Sequence, residues 1–316
     1  MSLEKACRNV LSSSMAIKED ETCLVVTDWR LYDIGRIFAD VALEMCTEPH
    51  LLMMRERNSH GEEPPRLVAD AMLDADVVLI PTYRSLSHTR ARKEACNHGA
   101  RVASMPQITE DILSRVSKAD FSVLERDCAA WADILTRTSN VRVITDRGTD
   151  ITFSIEGRDG TPDNGIYTDK GAFGNIPAGE SFIAPVEGSA EGTIVVDGSM
   201  AGPGMLDEPI TIRMEGGYAT DITGGAGART LIDKMAPHGK NARNLAEFAI
   251  GTNAAARLTG NVLEDEKIKG TIHLALGDNS TFGGKVSSSS HLDGIILEPT
   301  VSFDGKILIK NGKWNI

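Results

Sequence analysis

Apolar residues recur at helical spacing over residues 3–16 (Leu3, Ala6, Cys7, Val10, Leu11, Met15), which predicts an amphipathic opening helix. The run CLVVTDW at 23–29, apolar and bounded by polar residues, predicts a buried strand. A helical stretch follows (Ile34, Ile37, Phe38, Val41, Ala42, Met45), then LLMM at 51–54 as a second strand. The alternation continues with a helix over 67–73, the strand VVLIPTY at 77–83, a helix over 87–99 ending on Gly99, and the strand RVASMP at 101–106. Strand and helix in alternation with short connections specify right-handed crossovers and a mostly parallel sheet. The expected fold class is therefore α/β, with a Rossmann-like three-layer N-terminal domain.

Residues 109–139 predict two helices, the second being FSVLERDCAAWADILTRTS. At VRVITDRGTDITFSIEG, 141–157, the period changes to alternating strands joined by a glycine-containing turn, the pattern of a hairpin. From there on short strands and turns dominate, with one clear helix at about 226–236 behind the glycines 224, 225 and 227. The expected domains are 1–138, Rossmann-like α/β, and 139–316, a mixed α+β, strand-rich metal-binding domain. The glycine cluster could cradle an anion but carries no Lys-Ser/Thr, and a tight turn feeding the helix is the expectation.

Composition narrows the function. A formal charge of −12 and a pI near 5.1 argue against a nucleic-acid partner, which needs a basic face. No stretch approaches a membrane span, and the N-terminus lacks the apolar core of a secretory signal, so a cytoplasmic protein is expected. The five cysteines, at 7, 23, 46, 96 and 128, show no C-x-x-C spacing and are expected as buried free thiols. The first strand is followed by TDWRLYDIG and not by a G-x-G-x-x-G fingerprint, which disfavours a dinucleotide. Thr27, Asp28, Thr82, Tyr83 and Met105, expected at the carboxyl ends of the strands, are candidates for a substrate contact.

Chemistry concentrates in the second half. Glu180, Glu247, Glu266, His273, His291 and Asp293 each flank or interrupt an apolar, strand-like run (SFIAP, FAIG, IHLAL, LDGIIL). Residues two apart on a strand share a face, so His291 and Asp293 aim an imidazole and a carboxylate at one spot. Buried acids and imidazoles are costly unless paired or metal-bound, and several in one domain suggest that they meet.

The segments NIPAGESFIAP, GKNARNLAEFAIGTN, EDEKIKGTIHLALGDN and SSSSHLDGIILEPTV resemble, in order, the motifs of the thermophilic metalloaminopeptidases, the family of aminopeptidases T and S. The resemblance implies two divalent ions (zinc, cobalt or manganese) held by Glu180, Glu247, His273, His291 and Asp293. It implies a homodimer and a small peptide, or another small molecule, as substrate. The implied activity is removal of N-terminal residues by a metal-activated water, with Glu247 and Glu266 in catalytic roles. Two departures stand out. Glu266 sits at a different offset from His273 than the family's further acidic residue. Ser280 occupies the place of the family's catalytic tyrosine, whose hydroxyl could stabilise an oxyanion.

A second branch resembling the same family cleaves dihydroxypyridine rings with dioxygen on one iron(II), and His273, His291 and Asp293 could supply its two-histidine, one-carboxylate triad. Because Glu180 and Glu247 stay in matching motifs, the two-metal aminopeptidase is the leading expectation. The iron dioxygenase, or a member that binds metal without turnover, is the alternative.

Overall fold

The structure, a computed structural model, describes residues 3–316. By internal contacts the chain forms two units. One holds the chain up to Glu125 and Gly165–Ala178; the other holds Arg126–Asn164 and Gly179–Ile316.

In the first unit a parallel sheet runs Glu48–Met54, Thr22–Asp28, Val77–Ile80, Arg101–Ser104 and Phe173–Asn175. Strands Val77–Ile80 and Arg101–Ser104 are buried along their whole length, as expected of a sheet covered on both faces. Separate clusters cover the two faces: one contains Val25, Phe38, Leu79 and Met105, the other Val26, Met72, Val78 and Val102. The expected doubly wound α/β architecture is thus present. The predicted helix at 87–99 is Arg90–Asn97, started by the Thr89 hydroxyl, which accepts the amide of Arg92. One strand was not anticipated. Phe173–Asn175, placed by sequence in the second domain, pairs in parallel with Arg101–Ser104, and its three residues carry no periodicity that could reveal this.

Side chains at the carboxyl ends of these strands bond to neighbouring backbone. Asp28 accepts the amides of Arg30 and Leu31 on Oδ1 and that of Tyr83 on Oδ2, while the Thr27 hydroxyl donates to the Pro81 carbonyl. Met105 is fully buried in the core.

The second unit has two antiparallel sheets. An eight-stranded sheet contains the predicted hairpin, Asn140–Ile144 with Asp150–Ser154. A seven-stranded sheet contains, as consecutive neighbours, His291–Ile296, Ile272–Gly277, Leu245–Gly251, Glu180–Ile183 and Thr161–Asp163. The two share a core in which Ile151, Phe153, Ile194 and Val301 join Ile183, Phe248, Leu274 and Ile296. The helix at Gly225–Met235 follows a tight turn, as expected: Gly224 has φ +124°, and a Cβ there would lie 2.2 Å from the Pro209 carbonyl oxygen. The five cysteines are free, and four are buried. No helix among the described residues is long and apolar enough to cross a membrane.

Candidate metal centre

Strand alternation splits the seven-stranded sheet into a greasy face and a polar one. In Ile272–Gly277, Ile272, Leu274 and Leu276 join the core, so His273, Ala275 and Gly277 face the other way. Register carries that face across the neighbouring strands: Ala275 pairs with Asp293 on one side and Glu247 on the other, and Gly277 pairs with His291. His273 pairs with Ala249, which pairs with Phe182, and Gly251 pairs with Glu180. Glu180, Glu247, His273, His291 and Asp293 therefore share one face, and the small side chain of Ala275 separates Glu247 from Asp293.

The side chains do meet. Glu247 lies between two imidazoles, with Oε1 3.3 Å from His273 Nε2 and Oε2 3.1 Å from His291 Nε2. His291 Nε2 is also 3.1 Å from Asp293 Oδ1, and His273 Nε2 is 3.6 Å from Glu180 Oε2. His291 Nδ1 lies 2.8 Å from the Asp278 carbonyl oxygen, to which it donates; this fixes the ring and leaves Nε2 turned inward. Three sets of donor atoms fall within 4.8 Å of one another: Glu180–Glu247–His273, Glu247–His291–Asp293 and Glu266–His273–Asp293.

Electrostatics are coupled throughout. Burial pulls His273 down, but the hydrogen bond to Glu247 and the charge of Glu180 outweigh it and raise it to about 9. Burial also opposes the charged form of His291, yet Asp293 and Glu247 hold it well above its usual value. Burial would raise Glu247, but the two imidazoles keep it far below the ordinary carboxylate range. Glu266 goes the other way: burial, only partly offset by Lys267, pushes it up to about 8.

Two participants were missed by sequence reading. Lys267 has no exposed surface; it is ion-paired to Glu180 and lies 2.8 Å from Glu266 and 3.5 Å from Asp163. Within EDEKIKG it reads as part of a solvated charge run, and no local signal marks it as buried. Phe282 packs edge-on against His291 and against Phe182, with ring centroids 5.8 and 5.5 Å apart, and adds an aromatic wall to the polar face. Ser280 is exposed, and its hydroxyl donates to Asp278 at 2.9 Å.

The donor set fits a metal ion. Two imidazoles and several carboxylates converge on the polar face, and Glu180 Oε2 is buried without a hydrogen-bond partner. Imidazole with carboxylate suits zinc or iron better than calcium.

Comparison with known proteins bears on which chemistry the ion serves. The family model for 2,5-dihydroxypyridine 5,6-dioxygenase (NicX) matches residues 8–315. A protein of that name from Pseudomonas putida is 25% identical over 259 residues, covering 78% of this chain and 73% of its own. The solved structure of a 2,5-dihydroxypyridine dioxygenase from the same organism superposes with a TM-score of 0.83 at 19% identity, covering 99% of this chain and 96% of that one. AmpT from Thermus thermophilus superposes with a TM-score of 0.73 at 17% identity, covering 99% of both chains. The aminopeptidase-like fold is thus present, but the expectation of a peptide-cleaving hydrolase is overturned. The family model and the relative both carry the dioxygenase description, and the fold is common to both neighbours, so ordered motifs from it could not separate the two activities.

Proposed function

The chain belongs to the 2,5-dihydroxypyridine 5,6-dioxygenase family, and on that premise we propose that it opens a dihydroxylated pyridine, or a closely similar ring, with dioxygen at a single iron(II) ion. His291, Asp293 and Glu247 would hold the ion, with His273 as the second imidazole on the same Glu247 carboxylate. Iron(II) supplies a redox chemistry that these side chains lack and that dioxygen needs to react with a closed-shell ring.

The chain's own residues do the positioning. The Asp278 carbonyl holds the His291 ring in one tautomer and orientation, so its inward nitrogen does not have to be ordered when a substrate arrives. Phe282, set edge-on to His291 and to Phe182, offers an aromatic surface beside the donors. That surface suits a planar ring. The observation that carries the reading is this pairing of a two-imidazole, carboxylate donor set with an aromatic wall.

The test is to load the protein with iron(II) under anaerobic conditions, add 2,5-dihydroxypyridine, and then admit oxygen. Loss of the ring absorbance is expected only with both iron and oxygen present, with oxygen uptake equal to substrate consumed. Absorbance loss without oxygen uptake would overturn the proposal. So would hydrolysis of aminoacyl anilides by the zinc- or cobalt-loaded protein in the absence of ring cleavage.

A further inference from the structure

Lys267 is the buried charge that the ring-opening reading leaves without a role. Its side chain is 0% exposed, and its ammonium group reaches Glu180, Glu266 and Asp163. Its backbone is pinned on both sides of the peptide unit: the Lys267 amide donates to the Glu264 carbonyl at 3.0 Å, and its carbonyl accepts the Asn253 amide at 2.8 Å. This lysine is built in, not folded over from the surface.

The ammonium divides the donors. Of the three convergent sets, Glu180–Glu247–His273 and Glu266–His273–Asp293 each contain a carboxylate already paired to Lys267. Glu247–His291–Asp293 contains none. An ammonium is a compact charge with three donors, and three carboxylates match it. A divalent ion on Glu180 or Glu266 would have to displace it or lie beside it, and like charges in a poorly solvated interior repel strongly.

We infer that Lys267 stands in the place of a second metal ion among Glu180, Glu266 and Asp163, and so makes the centre load a single ion on Glu247, His291 and Asp293. The inference rests on the metal-centre reading above and adds what sets the number of ions. It also gives Glu180, kept in a motif that resembles a two-metal family, and the offset Glu266 a structural partner instead of a metal.

The experiment counts ions without reference to turnover. Metal-free wild type, Lys267→Met and Lys267→Arg are dialysed against cobalt(II), and bound metal is measured by elemental analysis alongside the cobalt absorption spectrum. Wild type and Lys267→Arg are expected to bind about one ion per chain and Lys267→Met about two, since metal binding and folding are linked through the same ligands. If Lys267→Met does not fold without metal, cobalt is expected to fold it, at the higher stoichiometry. A folded Lys267→Met with the wild-type count, or one that cobalt does not fold, overturns the inference. Two ions on wild type overturn the role of Lys267 while leaving a metal centre standing. No ion on wild type overturns the metal centre itself, and this inference with it.

Discussion

At the scale of single residues, some side chains of the polar face are free to bind and others are already engaged. His291 is oriented by the Asp278 carbonyl and faces both Glu247 and Asp293. His291→Ala is expected to weaken iron(II) or cobalt(II) binding by more than about 100-fold, since even the loss of an orienting partner costs about 10–100-fold in metal affinity. Isothermal titration of the folded variant checks this, and an unchanged affinity would remove His291 from the centre. Ser280, which stands in the place of the aminopeptidases' catalytic tyrosine, is bonded to Asp278 at the surface. Ser280→Ala should therefore shift stability by no more than about 0.5 kcal/mol, as exposed substitutions do, and should leave ring-opening turnover at its wild-type rate; a large loss in the oxygen-uptake assay would place its hydroxyl in the reaction. The candidate ligands were legible because imidazoles and carboxylates interrupting apolar strands are chemically conspicuous. Lys267 was not, because a lysine beside two acids reads the same whether it is solvated or buried.

At the scale of elements, the polar face of one sheet is the site, and two small residues on it, Ala275 and Gly251, give room to what lies beside them. Ala275 lies between Glu247 and Asp293 in register. Ala275→Leu would fill that gap; overpacking costs about 1–3 kcal/mol, so the variant is expected to stay folded while losing bound metal, as thermal melting and elemental analysis would show. Retained metal would mean that the gap is not needed. Gly251 pairs with Glu180, and a Cβ there would lie 2.1 Å from the Ile268 carbonyl oxygen, in the residue after Lys267. The alternation of IHLALG announced which side chains share a face, whereas the closeness of Gly251 to Ile268 comes from a chain reversal that no local pattern encodes. In the first unit, Arg101 pairs bidentately with Glu21 at 2.7 and 2.8 Å and also donates to the Met15 carbonyl. The Arg101 hydrogen bonds hold Glu21 below its usual value. A carboxylate depressed in the folded state adds stability that is present above its unfolded value and disappears as pH falls through the folded one. Glu21→Gln is thus expected to cost about 2 kcal/mol near neutrality, the scale of a charged hydrogen bond, and nothing once the pH is below the folded value of Glu21. Denaturant melts at the two pH values decide it, and a penalty independent of pH would contradict it.

At the scale of the whole molecule, the two units had different legibility. The α/β alternation of the first was plain in its apolar periods, and the returning strand Phe173–Asn175 was too short to be seen. In the second, short strands and glycine turns announced antiparallel sheets but not their order. Function was the least legible level. The same fold serves AmpT and a dihydroxypyridine dioxygenase, and of the two glutamates that favour two metals, Glu180 and Glu247, the first is ion-paired to Lys267. The proposed ring opening would place both atoms of dioxygen in the product. The most direct measurement supplies iron-loaded protein with 2,5-dihydroxypyridine under oxygen-18 gas and weighs the product by mass spectrometry. The account predicts that both labelled atoms are retained in a ring-opened product; a product carrying oxygen only from water would contradict it.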